Sequence, residues 1–298
     1  MTMLALQSGP LSAAVAPEIG AMVTALEWRA PDGQLHSLLR APAGAMPSTE
    51  APNRFGSWAM LPFANRAFDC IIDDGEQRFR VPANDPAGTG SIHGFGWQSA
   101  WEVVRYDHGH TVLEYRRSTG EDPYRYRARQ EISLDDSGMT IALAIINEAD
   151  VALPFGFGLH PWFPAAADTR LRMCSEGALI LGNGFRASGA QDLEGGGPYA
   201  TGPLFATETE TAWSFLGWDG IARMETPSRG VAITVTASET LRSPVVWAPA
   251  GADFLCVEPQ SHAIGSPSET AARAASPLTR LQPGETLSGW MRIAVEAI

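Results

Sequence analysis

The chain has 298 residues, a formal net charge of −12, 45% hydrophobic and 18% charged residues, a balance that fits a folded globular protein and excludes a disordered one. All 21 basic residues are arginine, so Schiff-base chemistry, a lysine-anchored pyridoxal phosphate and the P-loop grip on nucleotides are excluded. The acidic balance excludes general nucleic-acid binding, which needs a basic surface.

In chain order, residues 1–22 are mildly apolar but lack a positive n-region and contain Glu18, a poor match to a signal peptide. Val23 to Trp28 and Leu35 to Leu39 flank Ala30-Pro31-Asp32-Gly33 and predict a hairpin. Cys70 to Ile72 and Gln77 to Val81 form a second around Asp73-Asp74-Gly75, and Trp101 to Tyr106 with Thr111 to Tyr115 a third. Tyr126 to Leu134 and Met139 to Ile146 make a fourth, with Arg125, Arg127 and Arg129 alternating on one face. Ile221 to Glu225 pairs with Val231 to Thr236 across Pro227-Ser228-Arg229-Gly230, and Val245 to Trp247 with Phe254 to Val257 across Pro249 to Ala252. Ser288 to Val295 is the last predicted strand. Ala41 to Pro52 and Gly182 to Gly202 read as long loops.

Sustained helical periodicity is scarce, so the expectation is an all-β protein, a large sandwich forming one domain over 1–298. No apolar run approaches membrane-spanning length. Cys70, Cys174 and Cys256 are odd in number and form no CxxC pair, so neither a disulfide framework nor a redox motif is expected. A cytoplasmic protein fits these features.

Four clusters combine polar groups with glycine, proline and aromatics: Pro62 to Arg66, Ser91 to Trp97, Phe155 to Phe163 and Cys256 to His262. Trp218-Asp219-Gly220 is a fifth candidate. Each has a plainer reading. Asn65 and Asp219 suit turns, and His93 and His160, each next to loop-forming residues, suit ordinary loops. Glu258 ends an apolar strand before a proline and lies either in solvent or at the mouth of the sheet. His93, His160 and His262 form no HExxH-type pair, so no metal is expected. GxSxG is absent, and Gly156-Phe157-Gly158 lacks the third glycine of a dinucleotide loop. Tryptophan faces stack on sugars while Arg, Asp and Asn bond hydroxyls, and Trp58, Trp97, Trp162, Trp218 and Trp247 lie in or near these clusters. Most tryptophans are simply core.

In succession, Asn65-Arg66, His93-Gly94 with Trp97, Gly158-Leu159-His160-Pro161-Trp162-Phe163 and Val257-Glu258-Pro259, followed by Leu281-Gln282-Pro283-Gly284-Glu285, resemble the aldose 1-epimerase (galactose mutarotase-like) family. The resemblance runs from about residue 20 to the C-terminus as a succession of strands. It implies a large antiparallel β-supersandwich of the galactose mutarotase type with few short helices, and interconversion of the α and β anomers of a free sugar without cofactor or metal. It further implies Glu258 as the base at the anomeric hydroxyl, His160 as the acid at the ring oxygen and His93 as a donor beside it. Asn65, Arg66 and Asp219 would orient hydroxyls, with Trp162 as a stacking face. Trp162 stands where the family often has tyrosine, and Gln260-Ser261-His262 resembles a bacterial subgroup.

Other readings stay open at this level. Arg125, Arg127 and Arg129, or Arg78 and Arg80, could clamp a phosphorylated or sulfonated sugar instead of forming a solvated face. A non-catalytic sugar-binding protein, or a glycoside hydrolase using Glu258 with Asp219, shares the same clusters. The expected partner is a small sugar, with neither nucleic acid nor membrane; a homodimer is left open.

Overall fold

The computed structural model describes every residue except 1, 42–47, 50–53, 86, 87, 89 and 206–208. Two sheets dominate it, and all their strand pairs are antiparallel. Leu4–Ser8, Leu11–Ala16, Met22–Arg29 and Leu35–Ser37 follow one another as a four-stranded sheet. Leu4, Leu6, Leu11, Ala13 and Val15 are buried on alternate positions. They share one core with Tyr126, Ala128 and Ile132 of the large sheet.

That larger sheet runs in the order Glu102–Tyr106, His110–Arg117, Tyr126–Asp135, Gly138–Asn147, Thr286–Ala297, Val231–Ala237, Thr211–Thr226, Val245–Ala248, Phe254–Glu258 and Trp162–Pro164. The C-terminal strand sits between Gly138–Asn147 and Val231–Ala237, so the end of the chain joins two hairpins made much earlier. The predicted hairpins are all present. Their turns are built by local chemistry: Asp135 Oδ1 accepts the N–H groups of Ser137 at 2.9 Å and Gly138 at 3.1 Å. Helix is confined to Thr270–Ala275 and five 3-10 turns among the described residues. No helix is long and apolar enough to cross a membrane.

Arg127 and Arg129 face outward and pair with Glu114, Glu131 and Glu148, while Arg125 bonds the carbonyls of Gly120, Asp122 and Tyr124. Arg78 and Arg80 are also exposed. Arg127 and Arg129, like Arg78 and Arg80, thus lie on solvated strand faces, and none of them lines the cavity described below. One expected loop is corrected: within 182–202, Ala187–Asp192 forms an edge strand on Arg170–Leu181. Its Ala-Ser-Gly-Ala-Gln-Asp sequence lies almost wholly in solvent, so it needs no apolar alternation and carries no strand signature. Of the other expected loop, 41–52, most lies outside the described residues.

Thr211–Thr226 changes partners midway: Thr211 to Ser214 pair with Val245–Ala248, and Ile221 to Thr226 with Val231–Ala237. Gly217 and Gly220 sit at the break with φ of 61° and 88°, values that cost glycine little. The opposing strand shifts register between Met173 and Ser175, a bulge that redirects the sheet. Past this bend lie the strands that carry Trp247, Glu258 and Trp162.

Candidate active site

Phe254–Glu258 is buried along its whole length, and alternation gives its two faces different neighbours. Leu255 and Val257 join the main core. Phe254, Cys256 and Glu258 point the other way, Cys256 lying in register between Trp162 on one flank and Trp247 on the other. Pro259 follows, and its carbonyl accepts the Leu159 N–H at 3.0 Å, which draws the next segment against the strand end. His160 sits in that segment, its N–H held by the Trp58 carbonyl at 3.0 Å.

A second pair of loops carries the remaining groups. The His93 N–H donates to the Asn65 carbonyl at 2.7 Å, and the Phe95 N–H to the Leu61 carbonyl at 2.8 Å. Gly94 has φ of 62°, and a Cβ there would come within 2.1 Å of the Leu61 carbonyl oxygen, so this approach requires glycine. Asn84 supports the same loop: its Oδ1 accepts from Ile92 N–H at 2.6 Å and its Nδ2 donates to the Gly94 carbonyl at 2.8 Å. Asn65 and His93 both have positive φ, 54° and 59°, conformations that cost energy in non-glycine residues and concentrate at functional sites.

These elements enclose a cavity of about 490 Å³ lined by Asn65, Arg66, His93, His160, Trp162 and Glu258, with Asp85 and Trp247 beside them and Arg54 and Glu210 among the exposed lining residues. Six of the seven residues singled out in the sequence meet there. Glu258 Oε1 lies 3.4 Å from His160 Nε2, with both residues under 7% exposed. The two side chains are in direct contact, although 98 positions separate them in the chain. Direct contact suits hemiacetal chemistry, because the ring oxygen and the anomeric hydroxyl share one carbon and their proton carriers must be neighbours.

Aromatic rings fix the imidazoles. His160 lies flat on Trp162, 4.9 Å between centroids and 3° between planes, and packs on Trp58 at 4.5 Å. His93 meets His160 edge-on at 5.3 Å. The Asn65 N–H donates to His93 Nδ1 at 3.2 Å, which leaves the proton of neutral His93 on Nε2 as a donor. Burial drives Glu258, His160 and His93 toward their neutral forms. It pushes Glu258 up to about 8, opposed by a 3.0 Å hydrogen bond from Gln260 Nε2. Burial brings His160 down to about 3, and lowers His93 well below the usual imidazole range, with the neighbouring His160 and Arg66 adding to the effect. Near neutrality the Glu258–His160 pair therefore holds one proton, resting on the carboxyl group.

Arg66 is paired with Asp85, whose carboxylate is buried. Asp85 escaped the sequence reading because it falls in a turn-forming stretch with no motif around it. Its one signal there is an acid next to Asn84. His262, also unassigned from sequence, is fully buried and accepts the Ala64 N–H at 3.0 Å, tying the Asn65–Arg66 loop to the segment after Glu258. Trp162 lines the cavity, but His160 covers one of its faces.

Asp219 is the residue the structure does not bring to this cavity. Its exposed carboxylate closes its own turn, accepting the Ile221 N–H at 3.0 Å, and it borders a separate open depression of about 550 Å³ with Glu176, Glu239 and Arg242. Trp218 is 1% exposed and packs inward, so the next residue along the strand faces out. The carboxylate pair Glu258 and Asp219, needed for the hydrolase reading, is absent from the cavity.

The sequence profile of the aldose 1-epimerase family matches residues 2–294. Among individual proteins, the uncharacterized protein YphB of Escherichia coli K12 is 28% identical over 249 residues, 80% of this chain and 82% of that one. The crystal structure of a candidate aldose 1-epimerase from Escherichia coli K12 superposes with a TM-score of 0.84 at 25% identity, covering 100% of this chain and 99% of that one. A Caenorhabditis elegans homologue of the same class gives 0.85 at 15% identity, over 100% of this chain and 99% of that one, a likeness of fold. With a profile spanning nearly its whole length, a matching supersandwich and a relative at this identity, the chain belongs to the aldose 1-epimerase family.

Proposed function

We propose that the protein is a mutarotase that interconverts the α and β anomers of an uncharged free sugar, with Glu258 and His160 as its proton carriers. The observation that carries this reading is their 3.4 Å contact in a cavity lined by Asn65, Arg66, His93 and Trp162. In the ionic form of the pair, Glu258 takes the proton of the anomeric hydroxyl. The C1–O5 bond breaks with its electron pair going to O5, and imidazolium His160 protonates that oxygen. The product is the open-chain aldehyde, and the pair is left neutral with its proton on Glu258. Rotation about C1–C2 turns the other carbonyl face toward O5. Glu258 then returns its proton to the carbonyl oxygen while His160 removes the O5 proton, and the ring closes inverted at C1.

One proton enters and one leaves at each stage, so the pair alternates between two forms of equal net charge. Only protons move, and these side chains suffice to carry them. His93 donates from Nε2 beside the ring oxygen. Asn65 and the Arg66–Asp85 pair address hydroxyls, and Trp162 with Trp247 covers the apolar face of the ring. The charges lining the described cavity cancel, Arg54 and Arg66 against Asp85 and Glu210 with Glu258 protonated, which supports a neutral sugar over a phosphorylated or sulfonated one. A cytoplasmic protein acting on a free small sugar fits the same picture.

The test follows optical rotation of freshly dissolved α-anomers of neutral, phosphorylated and sulfonated sugars. Catalysed relaxation of a neutral sugar, lost in Glu258→Gln, is the expected result. Sugar binding without faster anomer exchange would replace this reading with a non-catalytic binding protein.

A further inference from the structure

Cys256 has no part in the proposed reaction and does not line the cavity, yet it lies directly behind two residues that do, His160 and Glu258. It is fully buried and shares its strand face with Glu258, two residues on. One donor atom from each of His160, Cys256 and Glu258 lies within 4.8 Å of the others. The ring is not committed elsewhere: His160 Nδ1 is buried with no hydrogen-bond partner among the described residues. A thiolate, an imidazole and a carboxylate form a mixed donor set of the kind zinc accepts, whereas magnesium and calcium want oxygen alone.

We propose that His160, Cys256 and Glu258 form a zinc-binding site, and that Zn²⁺ held there excludes the sugar by occupying both proton carriers. A tetrahedral zinc ion places its donors ~3.5 Å apart, so small side-chain rotations from the present arrangement close the site. Three protein donors leave a fourth position facing the cavity for water. Binding converts the thiol and the carboxyl group to their anions and releases those protons to solvent. The ion takes one ligand atom from each carrier and its positive charge opposes protonation of both, so neither exchanges a proton with a sugar oxygen. The exclusion of sugar rests on the mutarotase reading; the metal site itself rests on the three donors alone.

Cobalt(II) titrated into the whole protein reports the site directly, since a cysteine ligand gives a thiolate-to-cobalt charge-transfer absorption. That absorption is expected in the wild type and lost in Cys256→Ala, which separates it from signals of the half-buried Cys70 and Cys174. Zinc chloride is expected to slow anomer exchange, EDTA to restore it, and Cys256→Ala to need at least tenfold more zinc for the same inhibition. Should Cys256→Ala fold poorly, Cys256→Ser fills the same space and makes the same comparison. Identical cobalt spectra, or equal zinc sensitivity, in wild type and variant would overturn the proposal. A Cys256-dependent cobalt signal in a protein without anomer exchange would retire the mutarotase reading and leave the metal site standing.

Discussion

Replacing Glu258 with glutamine should separate what the carboxyl group does for the reaction from what its burial costs the fold. Burial pushes this group up to about 8 in the folded protein, against 4.5 for the free side chain. Between those values the folded state keeps a proton that the unfolded chain has released, so stability falls as pH rises through this window. At about 1.36 kcal/mol per unit, the interval from 4.5 to about 8 amounts to a ceiling of about 5 kcal/mol. Water entering through the cavity mouth solvates the carboxylate and reduces this, leaving about 2 kcal/mol or more as the expected effect. Glutamine is neutral throughout and escapes the penalty. Chemical denaturation at pH 5, 7 and 9 should therefore show the stability difference between Glu258→Gln and wild type shifting in favour of the variant as pH rises. The same variant should lose about 10²- to 10⁴-fold in the rate of anomer exchange, the usual worth of a positioned acid–base group. A stability difference that does not change between pH 5 and 9 would refute the buried neutral carboxyl group, and with it the one-proton pair.

The pH dependence of kcat/KM carries the same information, because the pair holds a single proton from about pH 3 to about 8. A level profile through neutrality with an alkaline fall near pH 8 is expected, and a fall centred near pH 6.5 would mean that His160 keeps an ordinary imidazole pKa. Asp85→Asn removes one of the negative charges that balance the cavity, and should raise the relative rate on an anionic sugar several-fold over a neutral one; unchanged selectivity would show that the cavity charges do not read the substrate. Asp219→Asn should leave polarimetric rates within about twofold of wild type, since its turn bond survives in asparagine, and a large loss would return Asp219 to the site. Gly94→Ala forces a Cβ against the Leu61 carbonyl and should cost about 2 kcal/mol or more on denaturant unfolding, with activity falling alongside.

Much of the fold was legible because hairpins are local. Asp135 caps its own turn, and the residues on either side of it pair from Tyr126 with Asn147 down to Asp135 with Gly138, so alternation and turn chemistry agree within one stretch of sequence. The strand order was not legible. Whether Thr286–Ala297 pairs with its neighbours in sequence or enters between Gly138–Asn147 and Val231–Ala237 depends on contacts made across the chain. The division of Thr211–Thr226 between two partners is hidden for the same reason, since Gly217 and Gly220 announce a break but not what pairs on either side of it.

The site divides along the same line. Trp218-Asp219-Gly220 read locally as a turn, and that is how Asp219 behaves; a role in sugar binding rested on its residue types and on the family pattern, and the inward packing of Trp218 works against it. For Glu258 the local reading left both solvent and cleft open, because an acid ending an apolar strand can face either way. What decides its environment is the ladder pairing Trp162 with Cys256 and Val245 with Glu258, which aligns residues distant in sequence on one buried face. That face raises the pKa of Glu258, presses His160 against two tryptophans and sets Cys256 within reach of both. The proton shuttle proposed for the pair, the stability penalty above pH 4.5 and the proposed zinc site thus share one cause, the burial of a polar strand end beneath aromatic rings.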